Sequence, residues 1–175
     1  NASFVDVGTE KDGFLHYLDL GPQYNSYRKF VKDRLQGKRN HSTLKNFQIQ
    51  TPIDKGGKIA DLMNKGELLM VQVVKEPISS KGPRLTSEIS IPGRFMVLMP
   101  FTDSVTVSKK IKELEERKRI KQAVLAVKPK NYGFILRTAA ENASVDDIQK
   151  EVNTLLEKWE KAFANIHVTM ASKCI

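Results

Sequence analysis

The stretch SFVDVGTEKDGFLHYL, residues 3–18, decides the fold of the first part of this chain. It opens with residues that alternate as in a strand, continues with turn formers at residues 8–13, and closes with a second apolar run. These features predict a β-hairpin. Because successive side chains of a strand point to opposite faces, Phe14 and His16 are expected on one face of the hairpin, with Phe4 on its first strand.

Two more strands are predicted further along the chain. Residues 68–74 are rich in Val, Leu and Met, and residues 85–91 alternate between apolar and polar side chains. Glycine and proline turns separate these strands. Short strands joined in this way are typical of a small barrel, and we expect an OB-type β-barrel within residues 1–91.

Residues 21–66 interrupt this pattern as a long basic insertion. Within residues 21–50, seven cations stand against the single acid Asp33. An apolar stripe at helical spacing predicts one short helix near the start, and we expect low order over residues 36–58. A loop of this length is either functional or disordered. The cations are Arg28, Lys29, Lys32, Arg34, Lys38, Arg39 and Lys45, and the stripe is Tyr24, Tyr27, Phe30, Val31 and Leu35.

A different pattern, of mixed strands and helices, begins at Pro92-Gly93. Apolar runs predict strands at residues 94–100, 105–107 and 132–137, and helical spacing predicts a helix over residues 115–127. Ser144 is the expected N-cap of a strong final helix. The sequence thus predicts an α+β protein with a domain boundary at residues 91–93 and a second domain over residues 92–175. The final helix has the apolar stripe Val145, Ile148, Val152, Leu155, Leu156, Trp159 and Phe163.

Composition limits the function classes. The 175 residues include 29 Lys and Arg against 20 Asp and Glu, and the net charge of +9 favours a polyanionic partner, with nucleic acid ahead of a membrane surface. The single cysteine, Cys174, excludes an internal disulfide framework and favours a reducing compartment. No apolar stretch approaches the ~20 residues of a membrane span. Because the chain opens at Asn1 in mid-strand, we expect it to begin inside a domain.

The aromatic side chains of the hairpin are the first candidate site. OB-type barrels bind single strands by stacking bases on exposed aromatic rings, which Phe4, Phe14 and His16 would supply here. Lys75 and Lys81 lie at and beyond the end of the next strand, where they would meet phosphates. The alternative is that both phenylalanines belong to the core, since aromatic side chains are more often buried.

The pair Arg137-Thr138 is the second candidate site. It lies where a strand ends, and a planar guanidinium can hold a phosphate through two parallel hydrogen bonds beside a hydroxyl donor. Such pairs at strand ends also occur for purely structural reasons. The basic stretch 109–121 is likewise either a solvated helix face or a surface that follows phosphates.

Motifs for catalysis are absent from the sequence. It contains no HExxH, GxSxG or phosphate-binding Walker loop, and no general acid–base pair is evident. The aspartates Asp6, Asp12 and Asp19 are better explained as turn formers than as metal ligands. We therefore assign no catalytic and no metal-binding residue from the sequence.

Several phrases of this sequence, in order, resemble a known family. They are residues 3–8, residues 11–16, residues 71–77 with Lys81-Gly82, residues 85–94 closing on Val97–Pro100, and Arg137–Ala140. Together they resemble the N-terminal half of the ribonuclease E/ribonuclease G endoribonucleases. The resemblance extends over nearly the whole chain except residues 21–66.

The resemblance implies two RNA-contacting modules. Residues 1–91 look like an OB-fold RNA-binding domain that lacks its opening strand, and residues 92–175 look like the 5′ sensor, a pocket for the 5′-monophosphate of RNA. Lys109 stands where well-known members have arginine, so it keeps the charge but lacks the planar fork. By position, the implied RNA contacts are Phe4, Phe14, Lys75 and Lys81, to which the hairpin pattern adds His16. The implied phosphate contacts are Gly93, Val97, Lys109, Arg137 and Thr138.

The resemblance also implies properties of a whole enzyme. It implies a bacterial, cytoplasmic, homo-oligomeric hydrolase that processes single-stranded RNA, with a magnesium-dependent catalytic domain and a zinc link between subunits beyond residue 175. This chain alone is then expected to be inactive and to need no cofactor. The alternative is a stand-alone OB-fold RNA-binding protein associated with ribosomes or translation, which would not distinguish 5′ ends.

Overall fold

The computed structural model describes residues 1–37, 43–79 and 81–164, and the chain divides into two units. Within the described residues, the first unit comprises 1–37, 48–79 and 81–89, and the second comprises 43–47 and 90–164. The main stretch of the second unit begins close to the expected boundary at residues 91–93. A short piece of the insertion also belongs to it.

The hairpin predicted from residues 3–18 is present in the first unit. Its strands β1 (Ala2–Val5) and β2 (Gly13–His16) are antiparallel, with Phe4 paired directly with Phe14. Strand β2 also pairs in parallel with β4 (Arg84–Thr86), which pairs antiparallel with β3 (Gln72–Lys75). The sheet order is therefore β1-β2-β4-β3.

Among the described residues this sheet is open, with β1 and β3 at its edges, so the predicted OB-type barrel is not confirmed. The strand predicted over residues 85–91 ends early, at Thr86. There the Thr86 hydroxyl donates to the Asp19 carbonyl (2.7 Å) and accepts from the Glu88 N–H (3.1 Å), while the Ser87 N–H also donates to Asp19 (2.8 Å). Such local bonds favour a turn over a continued strand.

A small apolar core holds the first unit together. Leu15 and Leu85 contribute to it from neighbouring strands, and both are fully buried. Burying a side chain of this size stabilises a fold by about 1.5–3 kcal/mol. Leu69 and Val71 pack against the same core without joining the sheet, so the strand predicted at residues 68–74 begins only at Gln72. The core residues are Leu15, Tyr17, Leu20, Tyr24, Ile59 and Leu85.

The insertion contains the predicted short helix, α1 (Tyr24–Leu35), and a single-turn helix, α2 (Ile59–Leu62). The stripe of α1 is buried from Tyr24 to Val31, whereas Leu35 is 40% exposed. The expectation of low order over residues 36–58 is wrong for residues 43–47, which place two buried side chains in the second unit. Residues 38–42 lie outside the described residues.

The second unit is a sheet covered by two helices. Strand order is β5-β6-β8-β7; β6 is antiparallel to β5 and β8, and β7 is parallel to β8. With the first sheet, the described part of the chain contains two four-stranded sheets and four helices, an α+β architecture as predicted. The elements are β5 (Ile91–Pro92), β6 (Met96–Pro100), β7 (Val105–Val107), α3 (Leu114–Leu125), β8 (Tyr132–Leu136) and α4 (Val145–Ala164).

Helices α3 and α4 pack against each other and against this sheet. Strand β6 alternates between buried and half-buried side chains, with Met96 and Leu98 fully buried. Ser144 caps α4 as predicted, because its hydroxyl accepts a hydrogen bond from the Asp147 N–H (3.1 Å). The core side chains of α4 are Ile148, Val152, Leu155, Trp159 and Phe163. Within the described ranges, no helix combines the length and the apolarity that crossing a bilayer requires.

Residues 43–47 complete the core of the second unit. The Asn131 side-chain amide donates to the carbonyls of Leu44 (2.6 Å) and Phe47 (2.7 Å), and the Tyr132 hydroxyl accepts from the Leu44 N–H (3.1 Å). The Phe47 ring packs edge-on against Phe101, with 5.2 Å between centroids. Burial at this place raises the pKa of Tyr132 to about 12.

Candidate functional site

One edge of the second sheet brings together the residues expected to hold a terminal phosphate. Strands β5, β7 and β8 end at this edge, and β6 begins there because it runs opposite to the other three. Each expected residue lies at the end of a strand or within two positions of one. The residues placed at this edge are Gly93, Val97, Lys109, Arg137 and Thr138.

Arg137 is exposed and is anchored by two carbonyl groups of the loop before β6. Its backbone N–H donates to Phe95 O (2.8 Å) and its guanidinium Nη1 donates to Gly93 O (2.9 Å). Among the described residues, no carboxylate pairs with this guanidinium, and its other N–H groups have no protein partner. An arginine held in this way keeps a planar set of donors for an anion.

Thr138 follows at the start of a single 3₁₀ turn, Thr138–Ala140. The side chain is exposed, and its hydroxyl has no hydrogen-bond partner within the described part of the chain. Its carbonyl accepts from the Glu141 N–H (3.0 Å), which closes the turn. The hydroxyl and the guanidinium of adjacent residues are therefore both available at the end of β8.

The loop after β7 carries Lys109, which is exposed. This loop is hydrogen-bonded to the last residue of β8, since the Ser108 N–H donates to Leu136 O (2.8 Å). The Arg117 guanidinium on α3 donates to the carbonyls of Val107 (3.3 Å), Ser108 (2.7 Å) and Ile111 (3.1 Å). Three carbonyls gathered on one arginine fix the loop that presents Lys109.

The loop after Thr138 is held by an ion pair on α3. The Arg119 guanidinium contacts both carboxylate oxygens of Glu116 at 2.7 Å and also donates to Ala143 O (2.8 Å). Glu116 in turn accepts from the Asn142 N–H (2.8 Å). The hydrogen bonds from Arg119 and Asn142 lower the pKa of Glu116 to about 2.

A third support comes from α4. The carboxylate of Glu151 accepts the N–H groups of Arg94, Phe95 and Met96, which shape the loop that holds Arg137. The sequence reasoning did not identify Glu151, Arg117, Arg119 or Glu116. Their spacing on the helices is that of an ordinary solvated face, so no local signal distinguishes them.

The first unit presents the aromatic pair of the hairpin to solvent. Phe4 is 71% exposed and Phe14 is 37% exposed, with 6.0 Å between ring centroids in an edge-on arrangement. His16 is 6.5 Å from Phe14, and its Nδ1 accepts from the Leu18 N–H (3.2 Å). Neither phenylalanine is buried in the core of the unit.

Strand register aligns these rings with cations. Phe4 pairs with Phe14, Phe14 with Arg84, and Arg84 with Lys75, so the four residues form one row across the sheet. Arg84 is exposed, and its guanidinium also pairs with Asp19 at 3.0 Å. Sequence reasoning missed Arg84, because the parallel pairing of β2 with β4 is not evident from the sequence.

Lys81 lies in the connection between β3 and β4, near the turn of the hairpin. Lys11 Nζ donates to Ser79 O (2.9 Å) across the two loops. Gly82 allows this approach, because a Cβ at that position would lie 2.0 Å from Asp12 O. The structure thus places exposed Lys81 close to the hairpin turn rather than in the row of Phe14 and Lys75.

Metal ligands are not clustered in the described residues. No group of three or more His, Cys, Asp or Glu side chains there is arranged to hold an ion.

Comparison with known proteins identifies relatives of this chain. Residues 90–175 match the sequence model of the Ribonuclease E/G family. The chain is 37% identical over 161 residues to Ribonuclease E of Synechocystis sp., a match over 91% of this chain and 20% of that protein. It is 36% identical over 160 residues to Ribonuclease G of Haemophilus influenzae and to Ribonuclease G of Escherichia coli K12, in each case over 91% of this chain and 29% of the relative.

The chain thus spans less than a third of the length of these relatives. Among solved structures, the Staphylococcus aureus RNase P protein aligns with 41% of this chain and 80% of its own, at 22% identity. The TM-score of 0.35 is too low to establish a common fold.

Proposed function

Because this chain belongs to the ribonuclease E/G family, we propose that it binds single-stranded RNA and senses a 5′-monophosphate for an endoribonuclease of RNA processing and decay. RNA cleavage, with its magnesium, is proposed only for the whole protein. The relatives are more than three times as long as the part of them that this chain matches. The role proposed for the described residues is binding.

The observation that carries this proposal is the state of Arg137. Its guanidinium is exposed, is tied to Gly93 O by one hydrogen bond, and has no carboxylate partner among the described residues. A cation fixed by neutral carbonyls keeps its charge available for an anion, whereas an ion pair would have neutralised it. The Thr138 hydroxyl and the Lys109 ammonium add donors at the same edge of the sheet.

The chemistry of RNA ends explains the proposed selectivity. A terminal monophosphate carries close to two negative charges at neutral pH and three acceptor oxygens, which suit a guanidinium beside a hydroxyl. A 5′-hydroxyl end offers no such charge, so Arg137 would gain nothing from it. We further propose that the site accepts a single phosphoryl group, so that a triphosphate end binds less tightly than a monophosphate end.

The row of Phe4, Phe14, Arg84 and Lys75 supports binding of the RNA chain itself. Exposed rings stack on bases of any sequence, at about 1–3 kcal/mol per base, and neighbouring cations attract phosphates. We propose that this row binds the strand regardless of its 5′ end. In the whole enzyme, occupation of the phosphate site would favour the conformation that closes on RNA.

The proposal is tested by measuring the affinity for one oligoribonucleotide with either a 5′-monophosphate or a 5′-hydroxyl. A charge-assisted hydrogen bond contributes about 1.5–3 kcal/mol, so the monophosphate should bind at least about tenfold more tightly. Arg137→Ala should abolish this preference while affinity for the 5′-hydroxyl RNA remains. Lys121→Ala removes an exposed cation of α3 and serves as the matched control.

Two results would contradict the proposal. Equal affinities of the unmodified protein for both RNA ends would remove 5′ sensing and favour a general RNA-binding role. A preference that survives in Arg137→Ala would show that another group recognises the phosphate.

A further inference from the structure

Glu151 on α4 is hydrogen-bonded to three successive backbone N–H groups of the loop before β6. Its Oε1 accepts from Arg94 (2.7 Å), and its Oε2 accepts from Phe95 (2.7 Å) and Met96 (3.1 Å). Successive N–H groups that converge in this way form an anion-binding concavity. Here the anion is the protein's own half-buried carboxylate, so these donors are already satisfied.

The same loop holds Arg137 through its carbonyl groups. Gly93 O accepts from the Arg137 guanidinium (2.9 Å), and Phe95 O accepts from the Arg137 backbone N–H (2.8 Å). The loop therefore contacts Glu151 with its donors and Arg137 with its acceptors.

Two peptide groups of this loop are hydrogen-bonded to both Glu151 and Arg137. The carbonyl of Gly93 and the N–H of Arg94 belong to one peptide group, and the carbonyl of Phe95 and the N–H of Met96 belong to another. Both are trans, so the N–H and C=O bonds of each point in opposite directions. A carboxylate that fixes the N–H end of such a group also fixes the direction of its carbonyl, and it polarises that carbonyl as an acceptor.

Gly93 permits the close approach of Glu151 to the loop. A Cβ at this position would lie 2.8 Å from Cδ and 2.9 Å from Oε1 of Glu151. Any larger residue would displace the carboxylate from its three N–H partners. The glycine and the glutamate are therefore two parts of one arrangement, although 58 positions separate them along the chain.

We propose that Glu151 is the positioning residue for Arg137, acting through the peptide groups Gly93–Arg94 and Phe95–Met96 to orient the guanidinium for a terminal monophosphate. This inference rests on the proposed function of the phosphate site. In this inference, Glu151 itself does not contact the RNA. Its carboxylate sets how strongly the protein prefers a 5′-monophosphate over a 5′-hydroxyl end, and it has no part in binding a 5′-hydroxyl RNA.

The test compares the two RNA ends in Glu151→Gln. The glutamine has the same size, but its NH₂ group faces at least one backbone donor, so one or more of the three hydrogen bonds is lost. We expect the preference for the 5′-monophosphate to fall about tenfold, a size typical of coupling within one hydrogen-bond network. Affinity for the 5′-hydroxyl RNA should stay unchanged. Glu157→Gln, an exposed position on the same helix that pairs with Lys161 at 3.8 Å, is the matched control.

Two further measurements separate positioning from general stabilisation. On an Arg137→Ala background, Glu151→Gln should alter the ratio of affinities no further, because its effect passes through the arginine. Glu151→Asp retains a carboxylate on a shorter side chain and should restore part of the preference. It also keeps the test usable where Glu151→Gln does not fold. In parallel, amide hydrogen exchange at Arg94 and Phe95 should accelerate in Glu151→Gln.

The outcomes distinguish this inference from the proposed function. A protein without any 5′ preference would overturn both. A protein with the preference, retained in full by Glu151→Gln with unaltered amide exchange, would overturn the positioning role alone. An equal loss of affinity for both RNA ends would show that Glu151 only stabilises the fold.

Discussion

Side chains on α3 hold the loops of the proposed phosphate site through hydrogen bonds to their backbone groups. Arg117 gathers three carbonyls around the Lys109 loop, and the pair Arg119–Glu116 holds the loop after Thr138 at Ala143 and Asn142. These side chains form their hydrogen bonds with other groups of the protein. The exposed donors of Arg137 and Thr138 thus remain for a ligand.

Glu116 should make the stability of the second unit depend on pH. Its pKa is about 2 in the folded protein, against an ordinary 4.5, so its stabilising contribution is present above about pH 4.5 and is lost as the pH falls toward 2. In Glu116→Gln this contribution is absent at every pH. The difference in free energy of unfolding between the unmodified protein and the variant should therefore shrink between pH 5 and pH 2.

Urea unfolding, followed by the fluorescence of the single tryptophan Trp159, measures this difference in the second unit. Glu157→Gln serves as a control at an exposed carboxylate. A difference between Glu116→Gln and the unmodified protein that is constant from pH 5 to pH 2 would contradict the expectation.

Single residues differ in how far the sequence reveals them. Arg137 and Thr138 stand out in the sequence because they follow a strongly apolar strand, and their role in binding a phosphate stays a prediction. Glu151 looks like any other acid on the polar face of α4. Its role depends on backbone groups more than 50 positions away, and no local pattern encodes such a contact.

At the level of elements, strong periodicity was a reliable guide. The apolar stripe and Ser144 cap predicted α4, alternation predicted the hairpin, and a continuous apolar run predicted β6. The ends of β3 and β4 were misjudged, since hydroxyl bonds of Thr86 and core packing of Val71 determine them. The open first sheet differs from the predicted barrel because strand pairing is a long-range property.

The sequence did not predict that residues 43–47 pack in the core of the second unit. A basic, glycine-flanked loop gives no sign that Leu44 and Phe47 are buried. We expect Phe47→Ala to lower the free energy of unfolding of the second unit by about 3–5 kcal/mol, because it removes a buried ring that packs against Phe101.

The measurement is again urea unfolding detected by Trp159, whose ring lies 5.8 Å from that of Phe101. Lys45→Ala changes an exposed residue of the same segment and should have little effect. A loss below about 1 kcal/mol in Phe47→Ala would indicate that the segment contributes little packing energy.

At the level of the whole molecule, the two proposed RNA surfaces lie in different units. The aromatic row is in the first unit and the proposed phosphate site is in the second, and the net charge of +9 favours a polyanionic ligand such as RNA. Changes to one surface should therefore leave the selectivity of the other unaltered.

Phe14→Ala should weaken binding of 5′-monophosphate and 5′-hydroxyl RNA by the same factor, about 5- to 150-fold for one lost stacking contact. The ratio of the two affinities should stay that of the unmodified protein. Binding titrations with both oligonucleotides measure this. Leu18→Ala, a 67% exposed apolar residue outside the row, is the control. A changed ratio in Phe14→Ala would mean that the two surfaces do not act independently.

The anchoring of Leu44 by Tyr132 has a consequence for biosynthesis. The two residues are 88 positions apart, so a ribosome releases the segment long before its partners exist. Strands β3 to β7 are all translated in the interval, whereas the second unit must wait for β8 before it can enclose Leu44 and Phe47. Closing so wide a gap late in translation is slow relative to local folding. The pace of elongation from residue 48 to residue 132 therefore sets how long these two apolar side chains wait for their partners in the nascent chain.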